Sequence, residues 1–183
     1  MAGKSPPMRS ISLPLTLETI ETLHAGEPVA LSGELFVARD AAHARLVALL
    51  DAGQALPFPL QGAVIYYMGP TPTPSGAVIG SCGPTTASRM DPFAPALLAN
   101  GLAGMIGKGQ RSARVVEALV RHRAVYFYAY GGCGAFYASC VTENHLVAFE
   151  DLGPEAICRL VVRDFPVVVA NDCHGASAFF EPA

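Results

Sequence analysis

The chain has 183 residues, enough for one substantial core and short of two ordinary domains. Hydrophobic residues make up 51%, charged residues 15%, and the net charge is −3. With no basic tract and no run of 18 apolar residues, nucleic-acid binding and a membrane span are both disfavoured.

In chain order, residues 1–14 read as an irregular N-terminal segment, with Lys4 and Arg9 but without the apolar run of a secretory signal. Leu17, Ile20 and Leu23 recur at helical spacing behind Thr16, and Gly26 ends that helix. Val29, Leu31, Leu35 and Val37 alternate as in a strand, with Gly33 marking a bulge. Arg39 closes the strand, and Asp40 is placed to cap a helix carrying Leu46, Leu49 and Leu50. A strand is expected over 63–68, then a stiff, exposed connection from Pro70 to Gly76, then a strand over 77–79. A helix with Phe93, Leu97 and Leu98 stops at Gly101. A strand over 103–106 leads to Gly107-Lys108-Gly109, and Ser112 caps a helix with Val115, Val116, Leu119 and Val120. A buried-type strand spans 124–129, followed by the loop Tyr130-Gly131-Gly132-Cys133-Gly134, a small-residue helix over 135–141 and a strand over 146–149. One helical turn over 154–158 and strands over 160–162 and 167–170 follow. Strand and helix alternate throughout, the pattern of a single α/β domain over 1–183 with a mixed or largely parallel sheet.

The run Gly80-Ser81-Cys82-Gly83-Pro84-Thr85-Thr86-Ala87-Ser88-Arg89-Met90-Asp91 carries the most chemistry. It leads from an expected strand to an expected helix, with Asp91 as N-cap and Pro92 at the first helical position. Free N–H groups, two threonine hydroxyls and the arginine fork together make an anion cradle. The competing reading is a threonine-rich surface turn with a solvated arginine. Arg39, Arg89 and Lys108 each follow a strand and precede a helix, the edge of an open α/β sheet where ligands gather. Any one of them alone reads as a solvated charge; the repetition points to a dianion site.

Other chemistries fit less well. Gly101 lies one residue too far from Gly107-Lys108 for a phosphate-binding P-loop, and Gly109 stands where a hydroxyl is needed. Gly132-Cys133-Gly134 lacks the third glycine of a dinucleotide fingerprint. Cys82, Cys133, Cys140, Cys158 and Cys173 have no metal-ligand spacing and read as buried thiols in a reducing cytoplasm, with Cys82 and Cys133 set apart by their glycine-rich loops. His43 and His174 read as structural hydrogen-bonders, with catalysis as the alternative. The sparse charge points to apolar surface covered by a partner, although an alanine-rich composition lowers it equally well.

Several of these motifs recur together elsewhere. Leu31-Ser32-Gly33 with Ala38-Arg39-Asp40-Ala41-Ala42-His43 comes first, then Gly83-Pro84-Thr85-Thr86-x-x-Arg89-Met90-Asp91, then Gly107-Lys108-Gly109-x-Arg111-Ser112. The tail adds Phe149-x-Asp151-Leu152-Gly153-x-Glu155-Ala156-Ile157 and Asp164-x-Pro166-Val167. From about Leu15 to Gly175 the set resembles the C-terminal domain of class I fumarases. It equally resembles the β subunit of two-subunit fumarate hydratases and tartrate dehydratases. Ser88 departs from the commoner pattern, where glycine is frequent.

The resemblance implies a swivelling β/β/α-type domain with a mixed central sheet. It implies that a 4Fe–4S cluster is held by cysteines of a separate α subunit, with no metal on this chain. Carried over by position, Arg39, Thr85, Thr86, Arg89 and Lys108 would bind the substrate, and Thr85 would be the catalytic base. The implied activity is that of a hydro-lyase, reversible fumarate hydration to malate, active only with an α subunit and possibly as α2β2. The alternatives are an L(+)-tartrate dehydratase β subunit and a non-catalytic dicarboxylate-binding module. Retention of Thr85 with all three cations argues against the last.

Overall fold

Four apolar strands lie side by side and run in one direction, with helices crossing back between them. In the computed structural model, which describes residues 8–179, these are β2 (Pro28–Val37), β3 (Val64–Tyr66), β4 (Gly104–Gly107) and β5 (Val125–Tyr128). Each is parallel to the next, Phe36 opposite Ile65, Val64 opposite Gly104, and Gly104 opposite Val125. The crossovers are α2 (Asp40–Asp51), α3 (Ala94–Ala99) and α4 (Ala113–His122).

The sheet closes on itself through one long strand. β7 (Ile157–Asn171) pairs antiparallel with β2 from Pro28 to Val37 along one edge. Its other edge pairs first with β6 (Val141–Ala148) and then with β5. β2, β3, β4, β5 and β7 thereby form a closed, barrel-like mixed sheet, with β6 and β1 (Arg9–Ser12) added outside the ring. α1 (Leu17–Glu21) begins at Thr16, whose Oγ1 accepts from the Thr19 N–H at 3.1 Å.

Side chains alternate between two cores, as strand geometry requires. Val64, Tyr66, Ile106, Val125 and Phe127 fill the barrel interior with Leu31, Leu35, Leu160 and Val169. Ile65, Tyr67, Met105 and Tyr126 face outward and pack against Leu46 of α2, Leu97 and Leu98 of α3, and Val115 and Leu119 of α4. All three crossover helices therefore cover one side of the parallel strands. Both clusters are mainly apolar, and the buried Arg111 and His43 pack on the helix-side tyrosines.

Several local expectations are corrected. Residues 9–12 are a strand rather than irregular chain, because they pair with β2 from Arg9 opposite Val29 to Ser12 opposite Ser32; residues 1–7 lie outside the described part. Residues 77–79 form no strand, since β3 and β4 already occupy the adjoining sheet positions. Asp91 does not cap α3: the run after Thr86 forms a 3-10 helix (Ala87–Met90) with Asp91 as its C-cap, and Phe93 precedes α3. Arg39, not Asp40, is the N-cap of α2. The helix expected over 135–141 is α5 (Gly134–Ser139), and the following strand starts at Val141. The turn expected over 154–158 is a 3-10 helix at Glu150–Glu155, and Cys158 already belongs to β7. The strands expected over 160–162 and 167–170 are one strand. Pro166 lies between the stretch of β7 paired with β6 and the stretch paired with β5, where a missing N–H is tolerated. The bulge at Gly33 is present, marked by a register shift between Leu31 and Gly33.

Candidate functional site

The carboxyl ends of β2, β3, β4 and β5 deliver Arg39, Tyr67, Lys108 and Tyr130 to one edge of the sheet. β3 and β4 separate there, and the segment Pro84-Thr85-Thr86 enters the gap, bridging to Met68 through Pro84 and to Lys108 through Thr86. The Thr85 N–H donates to the Tyr67 carbonyl at 2.6 Å, and the Lys108 N–H donates to the Thr85 carbonyl at 3.1 Å. The Ala87 N–H then donates to the Lys108 carbonyl at 2.8 Å. Thr85 is thus fastened by main-chain bonds to the ends of both neighbouring strands, and Thr86 is the register partner of Lys108. Local sequence patterns carry no signal for this pairing.

Gly107 makes the insertion sterically possible. A Cβ there would stand 3.0 Å from the Ala87 Cβ and 3.0 Å from the Tyr67 ring, so a larger residue would push the threonine segment out of the gap. From inside the barrel, the Tyr66 hydroxyl donates to the Cys82 carbonyl. The Cys82 N–H donates to the Gly134 carbonyl at 2.9 Å, which ties the cradle to the start of α5.

The three cations sit differently from one another. Arg39 donates from Nη2 to Glu155 Oε1 at 2.7 Å, with its side chain 24% exposed. Arg89, half-exposed, makes a two-pronged pair with Asp40, Nε to Oδ1 at 3.0 Å and Nη2 to Oδ2 at 2.8 Å. Lys108 is half-buried and has no ion-pair partner among the described residues; its amine lies against the Gly131 loop. Asp40 follows Arg39 at the start of α2, so the Arg89–Asp40 pair brings the two arginines to the same helix end. Two carboxylates therefore accompany the three cations. Thr85 is half-buried and Thr86 exposed, so both can meet a ligand from outside.

Beneath the cradle lies a buried polar group. Asp91 Oδ1 accepts from Arg111 Nε at 2.7 Å, and Oδ2 accepts from the Ser112 N–H at 2.7 Å. Asp91 therefore serves the N-terminus of α4 rather than α3. The Arg111 side chain has no exposed surface, and its guanidinium lies 5.4 Å over the Tyr67 ring and 5.0 Å over the Tyr126 ring. His43 is fully buried, its Nδ1 lies 2.8 Å from the Arg39 carbonyl, and burial lowers its pKa to about 4. The imidazole is therefore neutral and enclosed at the start of α2. His174 belongs to the opposite edge of the sheet, past Asn171, where Nε2 lies 3.0 Å from the Glu21 carbonyl and the ring stacks on His24.

The cysteines do not form a cluster site. Among the described residues no three His, Cys, Asp or Glu side chains converge in a way that could hold a metal ion. Cys82 is buried beneath the cradle, its thiol pushed up to about 11 by burial, and it donates to the Gly80 carbonyl. Cys133 is exposed in its loop. Tyr130, beside the Gly131 loop that meets Lys108, and Phe136 in α5 expose large apolar surfaces, 53% and 56% exposed.

The family described as the fumarase C-terminus matches residues 3–182. The chain belongs to that family. This fumarase C-terminal domain is 38% identical over 175 residues to the anaerobic class I fumarate hydratase of Escherichia coli, covering 94% of this chain and 31% of the relative. It is 39% identical over 152 residues to fumarate hydratase 2 of Leishmania major, covering 82% and 27%. It thus spans about a third of the length of the fumarate hydratases it matches. A protein named as a candidate β subunit of L(+)-tartrate dehydratase in Methanocaldococcus jannaschii is matched end to end instead, 34% identical over 173 residues and covering 91% of this chain and 89% of the relative. The fumarase C-terminal domain therefore occurs both as one part of a longer chain and at its own length. Glu155, Asp40 and Asp91 are the site-region residues that sequence reasoning gave no such role. Glu155 and Arg111 stood in the shared motifs without a function.

Proposed function

We propose that this chain is the dicarboxylate-binding β subunit of an iron–sulfur hydro-lyase, most simply a fumarate hydratase that interconverts fumarate and malate. The observation that supports the reading is the main-chain fastening of Thr85 between Tyr67 and Lys108, which holds the threonine segment at the strand ends where Lys108 also stands. Arg39 and Arg89, joined to that edge through α2 and the 3-10 helix, supply two further carboxylate donors. Substrate-binding residues are thus Arg39, Thr85, Thr86, Arg89 and Lys108.

On this chain, catalysis consists of holding the two carboxylates and moving one proton. Abstraction of the proton next to a carboxylate builds extra negative charge on that carboxylate. Arginine and lysine fixed around it stabilise that charge more than the ground state, which lowers the barrier. Thr85 is assigned as the base: its hydroxyl takes the proton at the carbon, and Lys108 favours the resulting alkoxide electrostatically.

The 4Fe–4S cluster is assigned to a partner α subunit, because the thiols here do not converge. Its contribution when bound is an open iron that acts as Lewis acid. The exposed Tyr130 and Phe136 near the site give that partner an apolar rim to cover. Five free thiols, four of them at least partly buried, support a reducing cytoplasm. The end-to-end match to the tartrate dehydratase relative supports L(+)-tartrate as the second substrate reading and a hetero-oligomer, with α2β2 the simplest form.

The test is reconstitution. Purified alone, the chain should be colourless and inactive. Mixed anaerobically with an α chain carrying the cluster, it should hydrate fumarate. Brown absorption or turnover by the isolated chain would overturn the assignment.

A further inference from the structure

We propose that Glu155 is a positioning residue of the dicarboxylate site, aiming Arg39 by gripping its guanidinium and the first turn of α2 with one carboxylate. What the arginine binds rests on the function proposed above; the grip itself is geometric. Glu155 Oε1 accepts from Arg39 Nη2 at 2.7 Å, and Oε2 accepts from the Ala41 N–H at 3.0 Å. Arg39 is the N-cap of α2 and its own side chain makes no capping bond. Glu155, 114 residues away in sequence from Ala41, therefore supplies an acceptor that the helix N-terminus lacks. In the same act it locks the arginine side chain relative to its own backbone.

Three further contacts make the grip rigid. The Arg39 carbonyl accepts from the His43 N–H at 2.8 Å and lies 2.8 Å from His43 Nδ1, so the backbone at this point is held from below. Gly69 lies directly against Nη1, and any Cβ there would overlap the guanidinium. Arg39 Nε is buried with no partner, so no other acceptor replaces Glu155 if it is lost. Glu155 ends the 3-10 helix at Glu150–Glu155, whose Asp151 also pairs with Arg45 on α2 at the surface.

Three consecutive residues at the start of α2 thus share the load. Arg39 and Ala41 bind Glu155, and Asp40 between them binds Arg89. An arginine already ordered loses less freedom on meeting a carboxylate, and a guanidinium displaced by about an ångström stabilises developing charge poorly.

The test uses Glu155→Gln, which keeps the side chain's shape. A glutamine has one acceptor oxygen and cannot serve both Arg39 Nη2 and the Ala41 N–H. In chain labelled with 15N-arginine, the parent should show a slowly exchanging Arg39 guanidinium resonance that Glu155→Gln loses. In the complex with the α chain, Glu155→Gln should lower kcat by about 10–100-fold with a smaller change in KM. Asp151→Asn, which breaks only the surface pair from the same segment, should leave resonance and kinetics at parent values. If Glu155→Gln fails to fold, Glu155→Asp takes its place; one methylene shorter, it reaches only one of the two donors and should show the same loss to a lesser degree. Retention of the resonance and of kcat in these variants would overturn the proposal. So would equal losses in Asp151→Asn, because the segment would then act only by packing. Loss of the resonance together with a parent complex that turns over no dicarboxylate would uphold the grip and sink the functional reading instead.

Discussion

Acidifying the protein should cost it stability through His43, and the size of that cost follows from burial. The imidazole is fully enclosed, edge-on to Tyr67 with ring centres 5.2 Å apart, and burial chiefly lowers its pKa from 6.5 to about 4, with Arg111 adding to the effect. Between those values the unfolded chain binds a proton that the folded chain refuses. Stability therefore rises with pH across this window; it is complete above about pH 6.5 and falls away as the pH drops toward 4, a loss of about 3 kcal/mol in all. Urea unfolding at a series of pH values from 8 to 4 measures it directly. His43→Asn supplies the comparison, because the amide can still donate to the Arg39 carbonyl but does not titrate. The variant should be less stable at pH 8, from lost packing, yet show a flatter pH dependence between 6.5 and 5. Identical slopes for parent and variant in that interval would mean His43 is not the neutral, enclosed group described.

The remaining predictions concern the site and its support. Arg89→Lys should lower kcat/KM of the reconstituted enzyme by roughly 10²–10³, since lysine has no two-pronged fork for a carboxylate. The same change should leave the unfolding midpoint nearly unmoved, because exposed pairs such as Arg89–Asp40 contribute about 0–1 kcal/mol; a large fall in stability with normal kinetics would mean the arginine is structural. Asp91→Ala strands the buried Arg111 charge and removes the acceptor of the Ser112 N–H, and should cost about 3–5 kcal/mol in urea unfolding. A loss below about 1 kcal/mol would show that the tyrosine rings alone suffice for Arg111. Gly107→Ala should impair turnover as well as stability, by shifting the threonine segment, at a folding cost of about 1–3 kcal/mol; unchanged kinetics would show that the segment tolerates the displacement.

What the sequence reveals here depends on how far apart the interacting groups lie. Gly33 marked the bulge, although the register shift itself is with β7. The β2 strand and the helix after Thr16 rest on patterns a few residues long and were legible. So was the placement of Arg39 and Lys108 at strand ends, because apolar runs mark where strands stop. The bridging of Pro84–Thr86 between β3 and β4 was not, since its bonds go to Tyr67 and Lys108 and its composition reads as loop. β7 was read as two strands because Asp164 and Pro166 interrupt its alternation, and only the change of partner from β6 to β5 explains their tolerance. Asp91 looked like the cap of the next helix and instead reaches 21 residues ahead to Ser112. Glu155 and Asp40 each neutralise an arginine, and a local reading that counts three free cations overlooks both.

The central claim is that Thr85 is the base, held in place between the two strand ends while the cations bind the carboxylates. Steady-state kinetics of Thr85→Val in the complex with the α chain tests it most directly, because valine keeps the shape and removes the hydroxyl. If Thr85 takes the proton, kcat collapses while KM changes little, since Arg39, Arg89 and Lys108 still hold the substrate. If Thr85 only hydrogen-bonds a carboxylate, the loss is about 0.5–1.5 kcal/mol and appears mainly in KM. A kcat within about fivefold of the parent, equivalent to less than about 1 kcal/mol of barrier, would contradict the assignment.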